Sequence, residues 1–509
     1  MRLSFRNIQS ISLYEMKAIR RSWFFRIFAI LMIGGVSFYS IMFLIPGIGP
    51  NQWALRAIGW GIPYGSMVIL NLGQGFVVIF LATGLMKQNK KLDTNEVFLA
   101  RPLSNAEYVL GRVWTLLKLF FGIHVILIIE VLIINLAISD APLQPMAYLV
   151  YPVLMSIPNL LFIIGLSFFM VGLLRNQAVS LILLLGMAGS SLVYLSTEYY
   201  FIFDYTAFRL PMLFSDIVGF VDAEFIFMQR GFYALLGLAF MSLTVLLFNR
   251  LPRSRSGPVL AAIMALILFS VAGFIGYKYL QMTSSIPDEL RAKTIELNNV
   301  YGTKNNVTVQ SCDLKLNHGN GDISCVAELV LKNETSEALD TWYVCLNPSL
   351  KVISLKSDGK EIEFNRKLHI VEVKNTDKLN PDKTIEVEIE YKGDIEESVA
   401  YLQIADKTRE QIYQRWLYQI PKRFSFLTPN YLLLTSQVQW YPVTFPGFMS
   451  ENQLLKPRDF VKYSLEVSTK NNLTAISQGS VIESDEGIFK FKPENPLPQI
   501  SLVIGNYEK

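Results

Sequence analysis

The chain has 509 residues, of which 51% are hydrophobic and 17% charged, and its formal net charge is +4. This length allows two or more domains, and the absence of a basic, aromatic-interleaved face argues against nucleic acid as a partner. Long apolar runs fill the sequence up to about Leu280, whereas charged residues are frequent from Gln281 onward. The sequence therefore predicts a polytopic membrane domain followed by a soluble domain.

Residues 1–22 place apolar side chains at helical spacing among several arginines and a lysine. This pattern predicts a basic helix lying along the cytoplasmic membrane surface; the alternative is a basic flank that only fixes the topology. The first long apolar run begins near Trp23 and is not followed by a small-residue cleavage site. We therefore expect this run to stay in the membrane rather than to be removed as a signal peptide.

Seven apolar runs are long enough to cross a bilayer as helices, since a span needs about 20 residues. Six of them fall within residues 23–256 and form the main membrane domain, and the seventh falls within 257–281. The predicted spans are Trp23–Ile45, Tyr64–Met86, Leu116–Ile138, Tyr148–Leu174, Ala178–Leu195, Gly231–Phe248 and Pro258–Leu280.

Lysines and arginines precede the first span and recur in alternate loops after it, while acidic residues dominate the other loops. By the positive-inside rule the N-terminus is then cytoplasmic. Arg56, Arg209 and Arg230 lie on the opposite side and count against this orientation. An odd number of spans places the C-terminal domain outside the cytoplasm, on the periplasmic or extracellular side of a multi-pass protein of the inner cell membrane.

Four polar side chains lie inside predicted spans: Asn71, Gln74, His124 and Glu130. Polar groups at this depth are costly and often functional. His124 and Glu130 are six positions apart and so do not share a helical face. Each of the four is a candidate for lining a substrate path, or alternatively for a polar contact that holds helices together.

The segment Lys87–Trp114, "KQNKKLDTNEVFLARPLSNAEYVLGRVW", is long and polar. Ser104 or Asn105 can cap a helix there, and Glu107 falls in its first turn, where a carboxylate suits the helix dipole. A short helix at this position is either a docking surface for a soluble partner or a solvated connector.

A basic surface helix, two spans and "ARPLSNAEYVLGR" before the third span resemble the permeases of type-2 ABC transporters, over about Phe5 to Phe248. The resemblance implies six spans, a dimer of permease units and separate ATPase subunits, and the seventh predicted span departs from it. The sequence has no G-x-x-x-x-G-K-[ST] phosphate loop, so ATP would bind to the partner and this chain would hold no cofactor. The residues implied to contact the ATPase are Asp93, Glu96, Arg101 and Glu107.

After an expected linker at 282–304, residues 305–509 change to an alternating pattern. "KTIEVEIEYKG" puts isoleucine, valine and tyrosine on one face and glutamates on the other, which is typical of a half-buried strand. "LKVISLKSDGKEIEF" predicts a hairpin that turns at Asp358–Gly359. We expect a mainly antiparallel β-sandwich or saddle.

The three cysteines are Cys312, Cys325 and Cys345, and the first two flank "NHGNGD". A turn on His318–Gly319 would align Cys312 with Cys325, whereas a turn on Asn320–Gly321 would offset them. Both a disulfide and two buried thiols on neighbouring strands remain open at this point.

Several soluble segments resemble, in order, the N-terminal β-domain of the zinc aminopeptidases that include the alanyl aminopeptidases and the leukotriene hydrolase. They include "IEVEIEYKG", "SQVQWYPVTFPG" and "FVKYSLEVSTKNNLTAISQGS", and together cover most of Thr308–Lys509. The resemblance implies that Gln439, with Gln437 beside it, contacts the free amino end of a peptide. "WYPVTFPG" departs from the family pattern just after this position.

The zinc motif H-E-x-x-H is missing from the sequence, whose three histidines are far apart. We therefore expect this chain alone not to be an enzyme and to bind no metal. Zinc would enter only if a catalytic domain followed. Besides an ABC permease subunit, the sequence leaves two alternatives: a membrane-anchored fragment of an aminopeptidase fusion, and a non-catalytic peptide-binding membrane protein.

Overall fold

The computed structural model describes residues 4–44, 58–87, 103–138, 142–248, 256–283, 286–404, 414–415, 418–419, 423–449, 459–485 and 487–507. The chain divides into two compact units. The helical unit comprises Met1–Ser284 with Gln414–Pro421, and the β unit comprises Ser285–Tyr413 with Lys422–Lys509.

Helices form the helical unit because an apolar chain in lipid must satisfy its backbone hydrogen bonds within each segment. A π-helical turn at Pro152–Ser156 interrupts the fifth helix without ending it. The helices are α1 (Phe5–Arg21), α2 (Trp23–Leu44), α3 (Gly61–Lys87), α4 (Asn105–Ile138), α5 (Ala147–Leu174), α6 (Gln177–Val193), α7 (Ala223–Leu247) and α8 (Ser256–Thr283).

Five helices in the described part of the chain are long and apolar enough to cross a membrane, and α1 with α2 make a sixth if this pair, bent by 76°, counts as one span. The predicted fifth span corresponds to α6, which is apolar but shorter than the others. A membrane-type helical part is thus confirmed, with five to six qualifying helices where the sequence predicts seven spans.

Close helix packing in this unit depends on small residues. Where α5 crosses α7, a Cβ atom on Gly165 would lie 2.3 Å from the carbonyl oxygen of Gly237, and one on Gly237 would lie 2.4 Å from the Leu161 backbone. The two backbones therefore approach each other directly, as small residues allow in membrane helix pairs.

The β unit is mainly antiparallel, as predicted. Its largest sheet has eight strands in the order β15-β16-β13-β1-β2-β8-β4-β5, in which β1 and β13 are parallel. A four-stranded sheet (β11-β12-β17-β14) and a three-stranded sheet (β3-β7-β6) complete the described part of this unit. The strands of the β unit are β1 (Thr308–His318), β2 (Ile323–Lys332), β3 (Leu339–Cys345), β4 (Lys351–Ser357), β5 (Lys360–Glu361), β6 (Phe364–Lys367), β7 (Ile370–Leu379), β8 (Thr384–Gly393), β11 (Ser425–Thr428), β12 (Tyr431–Leu434), β13 (Lys462–Ser468), β14 (Thr474–Ser477), β15 (Ser480–Asp485), β16 (Ile488–Lys492) and β17 (Leu502–Gly505). The short antiparallel pair β9 (Gln414–Arg415) and β10 (Tyr418–Gln419) belongs to the helical unit.

One local prediction is confirmed, and the structure decides between two alternatives that the sequence leaves open. β4 and β5 form the hairpin that turns at Asp358–Gly359, both with positive φ. β1 and β2 pair so that His318 faces Ile323, which centres the turn on Asn320–Gly321 and offsets the cysteines. Cys312, Cys325 and Cys345 are all free and buried.

The interval predicted as a linker contains a helix, α9 (Ile286–Tyr301), which belongs to the β unit. Its Arg291 is buried and donates to the carbonyl oxygens of Ser398, Ala400, Tyr401 and Ile404. The sequence pattern does not predict this helix because a charged residue, rather than an apolar stripe, attaches it to the rest of the β unit.

Candidate functional site

A cleft of about 470 Å³ opens in the β unit, where the sequence predicts a peptide contact. Its walls come from α9, the start of β1, the loop after β8 and the segment 436–448. This volume is in the range of small-molecule and peptide sites. Among its described lining residues are Gln403, Gln437, Gln439, Asp459, Tyr441, Tyr463, Phe445, Phe448 and Cys312.

Both predicted glutamines line this cleft. A short 3₁₀ turn, Ser436–Val438, is followed by Gln439 in the left-handed region at φ 52°. Asn347 holds this turn: its Nδ2 donates to the carbonyl of Val438 at 2.7 Å, and its backbone N–H donates to the carbonyl of Gln439 at 2.9 Å. Within the described part of the chain neither Gln437 nor Gln439 uses its side-chain amide in a hydrogen bond, so both amides are available to a ligand.

The wall opposite the glutamine turn is the "FPG" loop, and Gly447 lies in it with φ +98°. A Cβ atom there would lie 3.7 Å from Nε2 of Gln439, so this glycine keeps the space beside the amide open. Asn298 of α9 fixes the loop by donating from Nδ2 to the carbonyl of Phe448 at 2.9 Å. His369 Nε2 lies 2.7 Å from Oδ1 of the same asparagine.

Sequence reasoning missed this contact of His369, which lies in the β6–β7 turn rather than inside a strand. Burial, with a contribution from the nearby Arg366 guanidinium, lowers the pKa of His369 to about 4. The imidazole is therefore neutral at pH 7. Its Nδ1 is buried without a hydrogen-bond partner in the described structure, so a proton there would have no acceptor.

The histidines do not fit a zinc site. His318 is at the end of β1, where Nε2 contacts the carbonyl of Thr428, while His124 is in α4 of the helical unit. Among the described residues no group of three or more His, Cys, Asp and Glu side chains could hold a metal ion. The H-E-x-x-H pair of the zinc peptidases has no counterpart in this sequence.

In the helical unit, Asn71 and Gln74 meet in one buried polar network, together with Asn159 of α5. Asn71 Oδ1 accepts from Gln74 Nε2 at 2.5 Å and from Asn159 Nδ2 at 2.7 Å. Asn71 Nδ2 in turn donates to the carbonyl of Thr206, in the segment between α6 and α7. The structure thus places these two predicted candidates in contact with an irregular part of the chain.

That irregular segment is the main feature that the sequence did not predict. Ile202 and residues 204–207 are buried although their backbone forms no helix. Every carbonyl from Tyr200 to Thr206 accepts a hydrogen bond from a helix side chain, which meets the requirement that buried backbone groups be satisfied. The donors, in order along the segment, are Tyr279, Gln229, Tyr233, Ser191, Gln229 with Arg230, Arg230, and Asn71.

Arg230 is central to this arrangement. It lies in α7, is 2% exposed, and donates to the carbonyls of Asp204 and Tyr205 at 3.2 Å. Its Nε donates to Gln229 Oε1 at 2.7 Å. Arg230 is one of the residues that count against the predicted orientation, and in the structure it is buried, so its charge is not presented to a loop. An adjacent Gln–Arg pair within an apolar helix is the signal that could have identified the site.

His124 and Glu130 are not brought together. His124 Nδ1 contacts the carbonyl of Phe120 in its own helix, while Glu130 accepts a hydrogen bond from Ser37 of α2. The Ser37 contact is of the kind that holds helices together. Among the described residues, no hydrogen bond joins either side chain to the Asn71 network.

Of the predicted ATPase-contact residues, Asp93, Glu96 and Arg101 lie outside the described residues. Glu107 is buried at the start of α4, where Ser104 and Glu107 form a reciprocal capping pair at 3.1 and 2.8 Å. Its other oxygen accepts from the backbone N–H of Ser4 at 2.7 Å. Glu107 therefore connects the N-terminal helix to α4 rather than presenting its carboxylate to solvent.

The comparisons with known proteins find no matching family model and no matching curated protein. Solved structures similar to this chain include an M1 zinc metallopeptidase from Deinococcus radiodurans, 19% identical over 40% of this chain and 43% of that one, with a TM-score of 0.29. Native yeast LTA4 hydrolase is 16% identical over 40% of this chain and 29% of its own length (TM-score 0.27). Legionella pneumophila aminopeptidase A in complex with aspartic acid is 11% identical over 40% and 22% (TM-score 0.29). This chain spans less than half the length of each of these proteins.

Proposed function

We propose that the chain is the membrane permease subunit of an ATP-driven transporter of the type-2 ABC class, energised by a separate ATPase. The observation that supports this most is the irregular segment Tyr200–Thr206 inside the helical unit. A plain membrane anchor needs only apolar helices, whereas buried non-helical backbone is typical of proteins that carry a polar path through the bilayer. Asn71, Gln229 and Arg230 would form the inner wall of this path.

Coupling to the ATPase would run through α1 and α4. Arg112 of α4 forms a buried ion pair with Glu15 of α1 at 3.1 Å, and Lys118 donates to Gln9 of α1 at 2.8 Å. These contacts make α1 and the start of α4 one body, and the segment that carries Asp93 and Glu96 directly precedes α4 in the sequence. A displacement of that loop would then be transmitted to α4.

The proposal is tested by co-purification of the tagged chain from its native host, which we expect to bring down an ATP-binding subunit and a second copy of the permease. Substituting Asp93→Asn, Glu96→Gln and Arg101→Gln together should release the ATPase. The matched control is Glu198→Gln in the loop predicted to lie on the other side. Recovery of no ATP-binding subunit would exclude this function.

The topology proposed with this function has seven spans, a cytoplasmic N-terminus and the β unit outside the cytoplasm of the inner membrane. A cysteine in place of the exposed Asp358 should react with a membrane-impermeant maleimide in right-side-out vesicles. The native cysteines are buried and give little background. Labelling only after the vesicles are permeabilised would mean that the β unit lies on the cytoplasmic side, which contradicts the proposed topology.

A second candidate function is peptide binding by the β unit, either without catalysis or together with a zinc peptidase domain encoded further along the gene. The available amides of Gln437 and Gln439 in the cleft favour it. Gln439→Ala should weaken the binding of a short peptide with a free amino end at least tenfold, which corresponds to about 1.4 kcal/mol. The DNA sequence after the codon for Lys509 distinguishes the non-catalytic form from the peptidase fusion. An open reading frame with H-E-x-x-H there supports the fusion.

A further inference from the structure

The cleft of the β unit contains a carboxylate with an unused oxygen. Asp459 Oδ2 accepts from the backbone N–H of Val309 at 2.9 Å and from Oγ1 of Thr444 at 2.6 Å. Oδ1 has no hydrogen-bond or ion-pair partner in the described part of the chain. The two bonds to Oδ2 hold the carboxylate in place at the wall of the cleft.

The surroundings of Asp459 favour a cation. The described residues that line the cleft include no lysine, arginine or histidine, so none of them supplies a positive charge to this carboxylate. The aromatic part of the cleft wall consists of Phe445, Phe448 and Tyr401. Tyr463 also lies near Asp459: burial raises the pKa of the Tyr463 hydroxyl, and the negative charge of Asp459 raises it further. A carboxylate with apolar neighbours attracts a positive group more strongly than one in open solvent.

The remaining polar groups select the kind of cation. Amide oxygens of Gln403, Gln437 and Gln439 are further acceptors in the same cleft. An ammonium group has three N–H donors and no acceptor, so one carboxylate and two amide oxygens satisfy it. Divalent metals usually take several carboxylate or imidazole ligands, and Asp459 belongs to no such group among the described side chains.

We propose that Asp459 is the charged anchor of this cleft and that its ligand carries a primary ammonium group. The ammonium comes either from the amino end of a peptide or from a lysine side chain. The proposal rests on the second candidate function above, in that it concerns the same cleft, but it assigns the main recognition to Asp459 rather than to the glutamines.

The test measures binding to the purified full-length chain in detergent by fluorescence anisotropy, with peptides labelled at the C-terminus. The probes are Ala-Phe-Ala-Tyr with a free amino end, the same peptide N-acetylated, and N-acetyl-Lys-Phe-Ala-Tyr. We expect the acetylated peptide without lysine to bind at least tenfold more weakly than one or both ammonium peptides. Asp459→Asn should remove that difference.

The control variant is Asp340→Asn, which removes the same charge from an exposed carboxylate that pairs with Lys378 on the surface and does not line the cleft. If Asp459→Asn does not fold, the salt dependence of peptide binding to the wild-type chain serves as the test instead. Binding of an ammonium peptide should weaken between 0.05 and 0.5 M NaCl (roughly a threefold change in Debye length), while binding of the acetylated peptide should not.

Each outcome decides the proposal. Binding of only the free-amine peptide or only the lysine peptide identifies the source of the ammonium and supports it. Equal binding of all three peptides, no binding of any, or an unchanged preference in Asp459→Asn overturns it. If Asp459→Asn loses affinity for the ammonium peptides and Gln439→Ala does not, Asp459 is the anchor and the glutamine contact is rejected. If only Gln439→Ala loses that affinity, the glutamine contact is supported and Asp459 is rejected as the anchor.

Discussion

At the scale of single residues, several buried polar and charged side chains in this protein hold backbone groups in place. Arg230 and Arg291 are both buried, and each donates to several main-chain carbonyls. A guanidinium suits this role because its five donors are fixed in one plane. Asn347 and Asn298 do the same on a smaller scale at the cleft, so the positions of Gln439 and Phe448 depend on residues that are not among the cleft's described lining.

The buried imidazole of His369 predicts how the stability of the β unit depends on pH. Its pKa is about 4 in the folded chain and about 6.5 when unfolded. As the pH falls, the imidazole is protonated in the unfolded state before it is protonated in the folded state. The contribution of His369 to the free energy of unfolding is therefore full above pH 6.5 and decreases as the pH drops toward 4. The expected loss is about 3 kcal/mol.

The measurement uses the native cysteines, all of which lie in the β unit. Their reaction with 4,4′-dithiodipyridine, which proceeds at acid pH, reports opening of this unit in the full-length chain. We expect His369→Gln to flatten the pH dependence of the labelling rate. His318→Gln should change it less, because the hydrogen bond to the Thr428 carbonyl opposes the lowering of that imidazole's pKa by burial. The same steep dependence in both variants would contradict the assignment to His369.

At the scale of elements, the α5–α7 crossing depends on two glycines. Gly237→Ala places a methyl group 2.4 Å from the Leu161 backbone, so the helices must separate. Overpacking of this kind costs about 1–3 kcal/mol. Gly231→Ala is the matched control on the same helix, since nothing lies within 4 Å of its Cβ position.

We expect Gly237→Ala to lower the temperature at which the detergent-purified chain loses its monodisperse elution peak. Gly231→Ala should leave this temperature unchanged or raise it slightly, because alanine is the better helix former. Equal behaviour of the two variants would mean that the crossing tolerates a wider separation.

At the scale of the whole molecule, the two units have separate cores and should respond separately to substitution. Arg230→Met leaves the carbonyl of Tyr205 without its side-chain donor and the carbonyl of Asp204 with Gln229 alone, which destabilises the helical unit by about 1–3 kcal/mol. Labelling of the buried cysteines in the β unit should not change. Lys278→Met, which removes an exposed charge that pairs with Glu224, is the control and should have little effect on either unit.

Much of this arrangement can be predicted from short-range patterns. Apolar runs predict the helices because length and composition alone decide whether a segment can cross a bilayer. Alternation predicts β8, and an Asp–Gly pair predicts the β4–β5 turn, because both are properties of neighbouring residues. The capping of α4 by Ser104 and Glu107 follows from three-residue spacing in the same way.

The candidate site was only partly predictable. Gln437 and Gln439 are found through a resemblance of motifs, but Asp459 and Asn298 join the cleft from other parts of the chain. Likewise, Arg230 finds its acceptors in residues more than twenty positions away. No local pattern shows such partners because the chain must fold before they meet.

By itself, the sequence determined that an apolar helical part precedes a mainly antiparallel β part, since hydrophobic length and period are local and additive. It also determined that no H-E-x-x-H pair exists in this chain. Only the tertiary structure decided that Ile202 and residues 204–207 are buried inside the helical unit and that Asp459 lines the glutamine cleft. Burial of a loop or a carboxylate depends on hydrogen-bond partners brought from distant residues, and these become available only when the helices and sheets pack.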